Sequence, residues 1–495
     1  MMCTLKNDKG GVLCLFLWMF SCVNMLFAQE NSLGLEDWIH IARENATGVK
    51  VIQASYENSY WDYRSIRSEY RPQLSLSGTA VDYNRRFVEV LQPDGSIRYQ
   101  EVENNKMSLG MVLEQNIAPT GTRLSIRSEW QRFDDFDQDL MLFNGYPILF
   151  GIEQPLFRYN DLHWQQKIAP MRLNEAEKIF SEKMERMSWQ TCRLYFDLLE
   201  ASVNKDIAKT NFENTATLME IAEVRFELGE LSEHDLLQLR LSGINAGKDQ
   251  AAATLAMETR ARLLKSFTGY IEKTNIELKW PKDLDRFSLD SEKALQEALE
   301  NRRQTWNWKR RMTEAEAELA KAKGESGLSA NLSASIGLSK SADAWDGVYQ
   351  SPNEQQTFWL GLSIPIMDWG RTKSRRQKAK VNKELLQYEI EQEKIDFITE
   401  IETEVKQFEL LKEQLNFAKQ AKEISSQRYY ISTERFKTGA IEISDLNISM
   451  SEKDSAQRAY VNALRACWES YYKIRLLTLY DFRSGQKIHY STYKL

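Results

Sequence analysis

Two aspartates, Asp235 and Asp445, occupy matching places in the chain, each the same distance past an Arg-Phe-x-x-Gly motif and separated by a displacement of 210 positions. A carboxylate repeated in this way can do two kinds of work. In the first turn of a helix it stabilises the N-terminus by about 0.3–1 kcal/mol through the macrodipole. Gathered in several copies around a narrow opening, it repels anions and favours cations. Little else in the 495 residues is chemically equipped. The four histidines, His40, His163, His234 and His489, are too scattered for a metal site, and Cys192 and Cys467 are spaced like neither a metal clip nor a disulfide framework. Both cysteines stand beside aromatic residues in helical patterns and read as small buried hydrophobes. No G-x-S-x-G, P-loop, H-E-x-x-H or dinucleotide fingerprint occurs, so the sequence carries no catalytic constellation and calls for no cofactor or metal.

The elements that position those aspartates must suit a charged chain. Charged residues make up 27%, which excludes a bundle of membrane-spanning helices but permits a membrane β-barrel, whose strands hide their apolar face in alternation. With 65 basic against 71 acidic residues there is no footprint for nucleic acid. Residues 1–28 read as a secretory signal peptide, with an apolar stretch from Val12 to Phe20, flanking Lys6 and Lys9, and Leu26-Phe27-Ala28 at the cleavage point. An uncleaved anchor helix and lipidation at Cys22 are the alternatives, and Cys3, Cys14 and Cys22 leave with a cleaved signal.

The remainder is duplicated. Arg225-Phe226-Glu227-Leu228-Gly229 recurs as Arg435-Phe436-Lys437-Thr438-Gly439, Asp235-Leu236 as Asp445-Leu446, and the Gly151–Leu156 segment as Gly361–Ile366. Farther upstream the offset becomes about 256, pairing Ala42–Asn45 with Ala298–Asn301, so the first half carries an insertion of about 46 residues. The first repeat runs over 29–282 and the second over 283–495, each reading helix, strands, then a long helical hairpin. Strand segments are expected at about 72–157 and 327–366. The clearest has Leu328, Ala330, Leu332, Ala334, Ile336 and Leu338 alternating with small polar residues. Trp130, Phe133, Phe136, Tyr146, Phe157, Tyr159, Trp359 and Trp369 near strand ends suit an interfacial girdle, though a soluble sandwich gives the same alternation.

Helical hairpins are expected at about 161–267 and 371–480, because proline is missing between Pro170 and Pro281 and again after Pro365. The second shows a coiled-coil-like seam at Val381, Leu385, Tyr388, Ile395, Ile398, Val405, Phe408, Leu411, Leu415 and Ala418. A helix from Asp161 to Leu228 would reach roughly 100 Å at about 1.5 Å per residue. Gly229 and Gly439 break the pattern as helix C-terminal glycines do, and Ser232-Glu233-His234-Asp235 suits a capping-box start to the return helix. The tips therefore fall at 225–235 and 435–445.

This combination resembles the TolC family of outer-membrane efflux proteins from about Leu33 to Phe482. The most specific elements are the paired tips and the paired strand-to-helix junctions, which contain Pro155 and Pro365. The resemblance implies an α+β membrane protein made by internal duplication. Each protomer of a homotrimer would give four strands to one shared twelve-stranded transmembrane β-barrel in the outer membrane of a Gram-negative-type cell, and its coiled-coil hairpins would form a periplasmic α-barrel. It further implies a passive conduit for small molecules or polypeptides in a tripartite efflux or type I secretion system. The partners would be outer-membrane lipid, a periplasmic membrane-fusion adaptor and an inner-membrane transporter of RND or ABC type. Adaptor contact would fall on Arg225, Phe226, Gly229, Arg435, Phe436 and Gly439, and the aperture on Asp235 and Asp445.

Two aperture positions depart from the family. The position three after Asp445, acidic in the best-known members, is Ile448, and the gating arginine two after Gly439 is replaced by Ile441. Apolar contacts would then hold the closed state. The insertion contains a hairpin-like pair, Met107–Ile117 and Thr122–Phe133, joined by Pro119-Thr120-Gly121, and residues 84–147 read either as extra wall strands or as an extracellular loop. The basic run Arg371, Lys373, Arg375, Arg376, Lys378 and Lys380 reads as a solvated face or a headgroup contact. A passive porin leaves the helical hairpins unused. A periplasmic coiled-coil adaptor or scaffold without a pore leaves the duplicated strands unexplained.

Overall fold

The computed structural model describes residues 32–271, 277–281, 284 and 287–490; the signal-peptide reading of 1–28 lies outside them. The chain divides into two compact units, one holding 53–180 and 299–400, the other 32–52, 181–298 and 401–490.

The first unit contains one antiparallel sheet of six strands in sequential order: β1 (Gln73–Leu91), β2 (Ile97–Ile117), β3 (Thr122–Asp135), β4 (Leu140–Leu156), β5 (Ser329–Ala342) and β6 (Asn353–Ser363). The sheet thus has six strands, where the resemblance implies four from each chain in the barrel. The insertion supplies most of β2 and all of β3. They join the sheet because their alternation continues its two faces. Leu74, Leu113, Ile126, Phe150 and Ile336 lie opposite one another across five strands. The neighbouring row on the other face reads Gln73, Glu114, Ser125, Gly151, Ser335 and Thr357. Beyond Asn104, where β3 ends against β2, β1 and β2 continue as a two-stranded ribbon that pairs Asn84–Leu91 with Ile97–Asn104.

The helices repeat closely. From α1 (Leu35–Asn45) and α2 (Thr47–Ser68) the chain enters the sheet; from β4 it enters α3 (Asp161–Glu227) and α4 (Glu233–Thr268). The second repeat has α5 (Ser291–Asn301), α6 (Gln304–Gly324), α7 (Arg371–Lys437) and α8 (Ile443–Thr478). Both α3 and α7 have 67 residues and both α4 and α8 have 36, every boundary displaced by 210. In the sheet unit, ion pairs stitch the helices: Glu175 receives Arg310 at 2.6 Å and Asn307 at 2.8 Å, and Glu393 receives Arg311 at 2.6 Å and Trp308 Nε1 at 2.8 Å.

The helical unit has an aromatic core at the end away from the hairpin tips, with Trp38, Tyr195, Phe196, Trp468 and Tyr471 buried. Cys192 and Cys467 are free and buried, and burial pushes the Cys467 thiol up to about 11, as the small-hydrophobe reading expects. The expected seam of α7 splits: Val405 and Phe408 are buried, but Val381, Leu385, Tyr388 and Ile395 are exposed. Ile390, Phe397 and Ile401 take the buried face instead.

One charge sits deep in this unit. Glu185 is fully buried, and its carboxylate accepts from Arg43 Nη2 at 2.9 Å, from Arg475 through Nε and Nη2 at 3.2 Å each, and from the Tyr490 hydroxyl. Burial works against the Arg475 charge, but Glu185 more than offsets it and raises the guanidinium's pKa. Removing the carboxylate strands two guanidiniums, a change that costs about 3–5 kcal/mol in comparable buried pairs. Glu185→Ala should lower the thermal unfolding midpoint sharply and Glu185→Gln less so. An unchanged midpoint for Glu185→Ala would show the cluster to be energetically neutral.

Candidate functional site at the paired hairpin tips

The tips are built by the same backbone hydrogen bonds. At the end of α3 the Gly229 amide donates to Phe226 O at 3.0 Å and the Glu230 amide to Arg225 O at 2.9 Å. At the end of α7 Gly439 donates to Phe436 O and Ala440 to Arg435 O at the same distances. This is the Schellman closure, which turns the chain through a left-handed residue. Both glycines have φ +74°, a conformation that costs an L residue about 1–2 kcal/mol. The R-F-x-x-G spacing is thus the signature of a helix end.

Identical backbones carry different surfaces. Phe436 is buried in a cluster with Leu218 and Ala222 from α3, Leu236 and Leu239 from α4, and Ile443 and Leu446 from α8, so one apolar knot ties the four helices. Arg225 lies over the Phe436 ring with its guanidinium 5.9 Å from the centroid and pairs with Glu230 at 3.6 Å. Its repeat mate Arg435 is exposed. Phe226 points outward and is 40% exposed, beside Val224 and Leu228, which are more exposed still. A groove of about 510 Å³ lies between the tips, with Arg225, Glu230, Lys437 and Gly439 among its lining residues.

The aperture candidates separate. Asp235 is held as a cap: Ser232 is the N-cap of α4, its hydroxyl accepting the Asp235 amide at 3.2 Å and donating to the Asp235 carboxylate at 2.6 Å. Asp445 occupies the same turn of α8, where the N-cap Glu442 makes no side-chain hydrogen bond, and it is exposed. Ile448 is half exposed one turn on, beside Asp445, while Ile441 packs against the buried tip cluster. The structure brings Arg225, Phe436, Gly439 and Ile441 together and leaves Asp445, Ile448 and Phe226 facing outward.

Sequence reasoning missed a polar layer joining the two hairpins behind the knot. Asn211 donates to the buried Asp454 at 2.6 Å, Lys453 stands 3.3 Å from the same carboxylate, and Asn214 donates to the Tyr429 hydroxyl at 3.2 Å. Lys453 also lies over the Tyr429 ring. No local motif marks these residues; only pairing between hairpins 210 positions apart reveals them.

At the strand-to-helix junctions, Pro155 lies inside β4 opposite Asn331, whereas Pro365 lies beyond the end of β6. Asn160 accepts the His163 amide at 3.1 Å at the start of α3 and donates to Ala118 O at 2.8 Å in the β2–β3 turn. Asp368 performs the first of these tasks for α7, accepting the Thr372 amide at 2.8 Å; hydrogen bonding to Thr372 holds its carboxyl below the usual carboxylate range. The basic run from Arg371 to Lys380 is exposed throughout.

The asymmetry of the two phenylalanines is measurable. Phe436→Ala should cost about 3–5 kcal/mol, the range for emptying a buried aromatic site, and lower the unfolding midpoint. Phe226→Ala should stay within about 0.5 kcal/mol, as surface substitutions do. Equal effects would mean that the two tips share one packing.

Residues 294–478 match the outer membrane efflux protein family. No curated protein matches the chain. Among solved structures, the CmeC outer membrane channel of Campylobacter jejuni superposes with a TM-score of 0.67 at 16% identity, covering 93% of this chain and 88% of that one. A membrane protein from Pseudomonas aeruginosa gives 0.68 at 13%, covering 93% and 92%. The outer membrane protein VceC of Vibrio cholerae gives 0.63 at 14%, covering 92% and 97%. The matched family consists of transport conduits rather than enzymes. The resemblance read from the sequence is borne out to this extent: residues 294–478 match the outer membrane efflux protein family, and the chain has the fold of the solved outer-membrane channels over most of its length.

Proposed function

We propose that the protein is the outer-membrane exit duct of a tripartite export system, a passive homotrimeric conduit that receives cargo from an inner-membrane transporter of RND or ABC type through a periplasmic adaptor. The observation that carries this reading is the pair of open sheet edges, β1 and β6. Both are free of proline, β6 is free of lysine, and both carry large exposed apolar residues: Leu74 and Leu76 on one, Phe358, Leu360 and Leu362 on the other. Proteins that keep an edge in water blunt it with charge, proline or a covering element. In hydrocarbon an unpaired backbone group costs several kcal/mol, so such a sheet must close on further copies of itself.

The helices support the same assembly. On α7, Leu410, Phe417, Ile424 and Ile431 recur every seven residues and are all more than half exposed. On α4, Leu237, Leu241, Ile244 and Leu255 form a second exposed apolar flank in the same unit. Heptad spacing is what a neighbouring helix needs to bury such a flank, and a ring of hairpins supplies one on each side. Asp445 and Ile448 would line the periplasmic aperture. Phe226, Leu228 and the groove beside Arg225 and Gly439 would meet the adaptor. Asp235 would act chiefly as a helix cap.

Outer membranes should yield an SDS-resistant trimer that heating converts to monomers, and Phe417→Glu or Ile424→Glu should reduce its yield several-fold. Recovery of the wild-type chain as a soluble monomer would sink the conduit. In a planar bilayer, Asp445→Ala should change cation conductance or block while trimer yield stays intact; a drop in stability with unchanged conductance would assign Asp445 to capping alone.

A further inference from the structure

We infer that all six strands of each copy stand in the membrane wall, so that the trimer closes a barrel of eighteen strands instead of the twelve that the resemblance implies. This rests on the trimeric reading above and extends it to the insertion.

Three observations carry it. The first is where the inserted turn lies. Asn160, which caps the start of α3, also donates to Ala118 O, and Gln154 in β4 donates to Thr120 O at 3.0 Å. Nearby, Gln115 and Asn116 of β2 donate to Tyr70 O and Glu69 O at the end of α2, at 2.7 and 3.1 Å. The β2–β3 turn therefore sits at the edge of the sheet where the chain enters and leaves the helices. A folded extracellular loop would place it at the opposite edge. Both inserted strands thus traverse the full height of the sheet, and each exceeds the roughly 9–11 residues that a tilted transmembrane strand needs.

The second is the match of faces. The inserted strands add Leu109, Met111, Leu113, Leu124 and Ile126 to the apolar face already bearing Leu74, Leu76, Phe150, Ile152 and Ile336. To the opposite face they add Glu114, Arg123, Arg127 and Glu129, the Arg123 and Glu153 charges lying 3.8 Å apart across β3 and β4. Leu113, Ile126 and Phe150 share a single register row, which a hairpin folded away from the wall would not maintain. The third is parity. An even number of strands per copy leaves β1 and β6 running in opposite directions, so β6 of one copy meets β1 of the next as an antiparallel pair with apolar residues on the same side.

With strands about 4.8 Å apart and tilted about 40°, eighteen strands give a backbone radius of about 18 Å against about 12 Å for twelve. Glu114, Arg123, Arg127 and Glu129 would then line the lumen.

Single nitroxide labels on the trimer in lipid vesicles test this directly. The labels go at Met111 and Ile126, with Ile336 and Leu360 as references and Arg127 as the lumen position; Cys192 and Cys467 are buried and do not compete for label. Met111, Ile126 and both references should relax more with oxygen than with a water-soluble nickel chelate, and Arg127 the reverse. If the references favour oxygen while Met111 and Ile126 favour nickel, the eighteen-strand wall is overturned and the conduit stands. If the references themselves favour nickel, the membrane-barrel reading fails and this inference falls with it. Images of the trimer in nanodiscs should show eighteen strands around the wall; twelve would overturn the inference even with oxygen-favouring labels.

Discussion

A backbone N–H or C=O at a sheet edge has no partner but another strand once water is withdrawn, and the architecture of this chain is arranged around that constraint. β1 and β6 are open, long enough to cross a bilayer, and carry apolar residues on the side that would meet lipid. The same constraint limits how the wall can grow. The chain enters the sheet from α2 and leaves it to α3 along one edge of the sheet. A single added strand would strand α3 at the wrong edge. A pair restores direction, which is why an insertion of about 46 residues appears as one down-and-up hairpin whose turn is tied to the helix start by Asn160.

Duplication supplies two copies of each part, and assembly makes them unequal. The tip motif specifies a backbone closure and nothing more, so both copies close alike, through Gly229 and Gly439 at the same φ. Burial depends on neighbours. Only one phenylalanine can occupy the knot between four helices, and Phe436 takes it; Phe226 is left outside with Val224 and Leu228. In the proposed conduit, tips that grip a partner and also hold the hairpins together would gain from this split.

What could be read from the sequence follows the range of each interaction. The glycine turns were legible because positive φ is a local demand, and β5 because alternation from Ser329 to Ser339 is unbroken. β1 was harder. A bulge between Thr79 and Asp82 shifts its register, and the ribbon beyond Asn84 is set by cross-strand pairs such as Tyr99 with Glu89. The buried face of α7 was misjudged in its first half because two apolar stripes run along it, and the sequence does not say which one its own chain covers. The Asp454 layer could not be found at all, since its partners are joined only by the fold.

The position of the charges argues for where selection occurs. In the proposed eighteen-strand wall of about 18 Å radius, Glu114, Arg123, Arg127 and Glu129 would stand farther from the axis than the Debye length of about 8 Å at physiological salt, so cargo in mid-lumen would be largely screened from them. Their signs are also mixed, and Arg123 and Glu153 lie close enough to cancel. Carboxylates at a narrow tip act within a Debye length and share one sign. Of the two repeat mates, Asp235 is engaged with Ser232 and Asp445 is exposed without a capping partner. In the proposed conduit, electrostatic selection would therefore fall on the α8 side of the tips. The neighbour Ile448 contributes no charge there, which leaves Asp445 and the exposed N-cap Glu442 as the carboxylates at the start of α8.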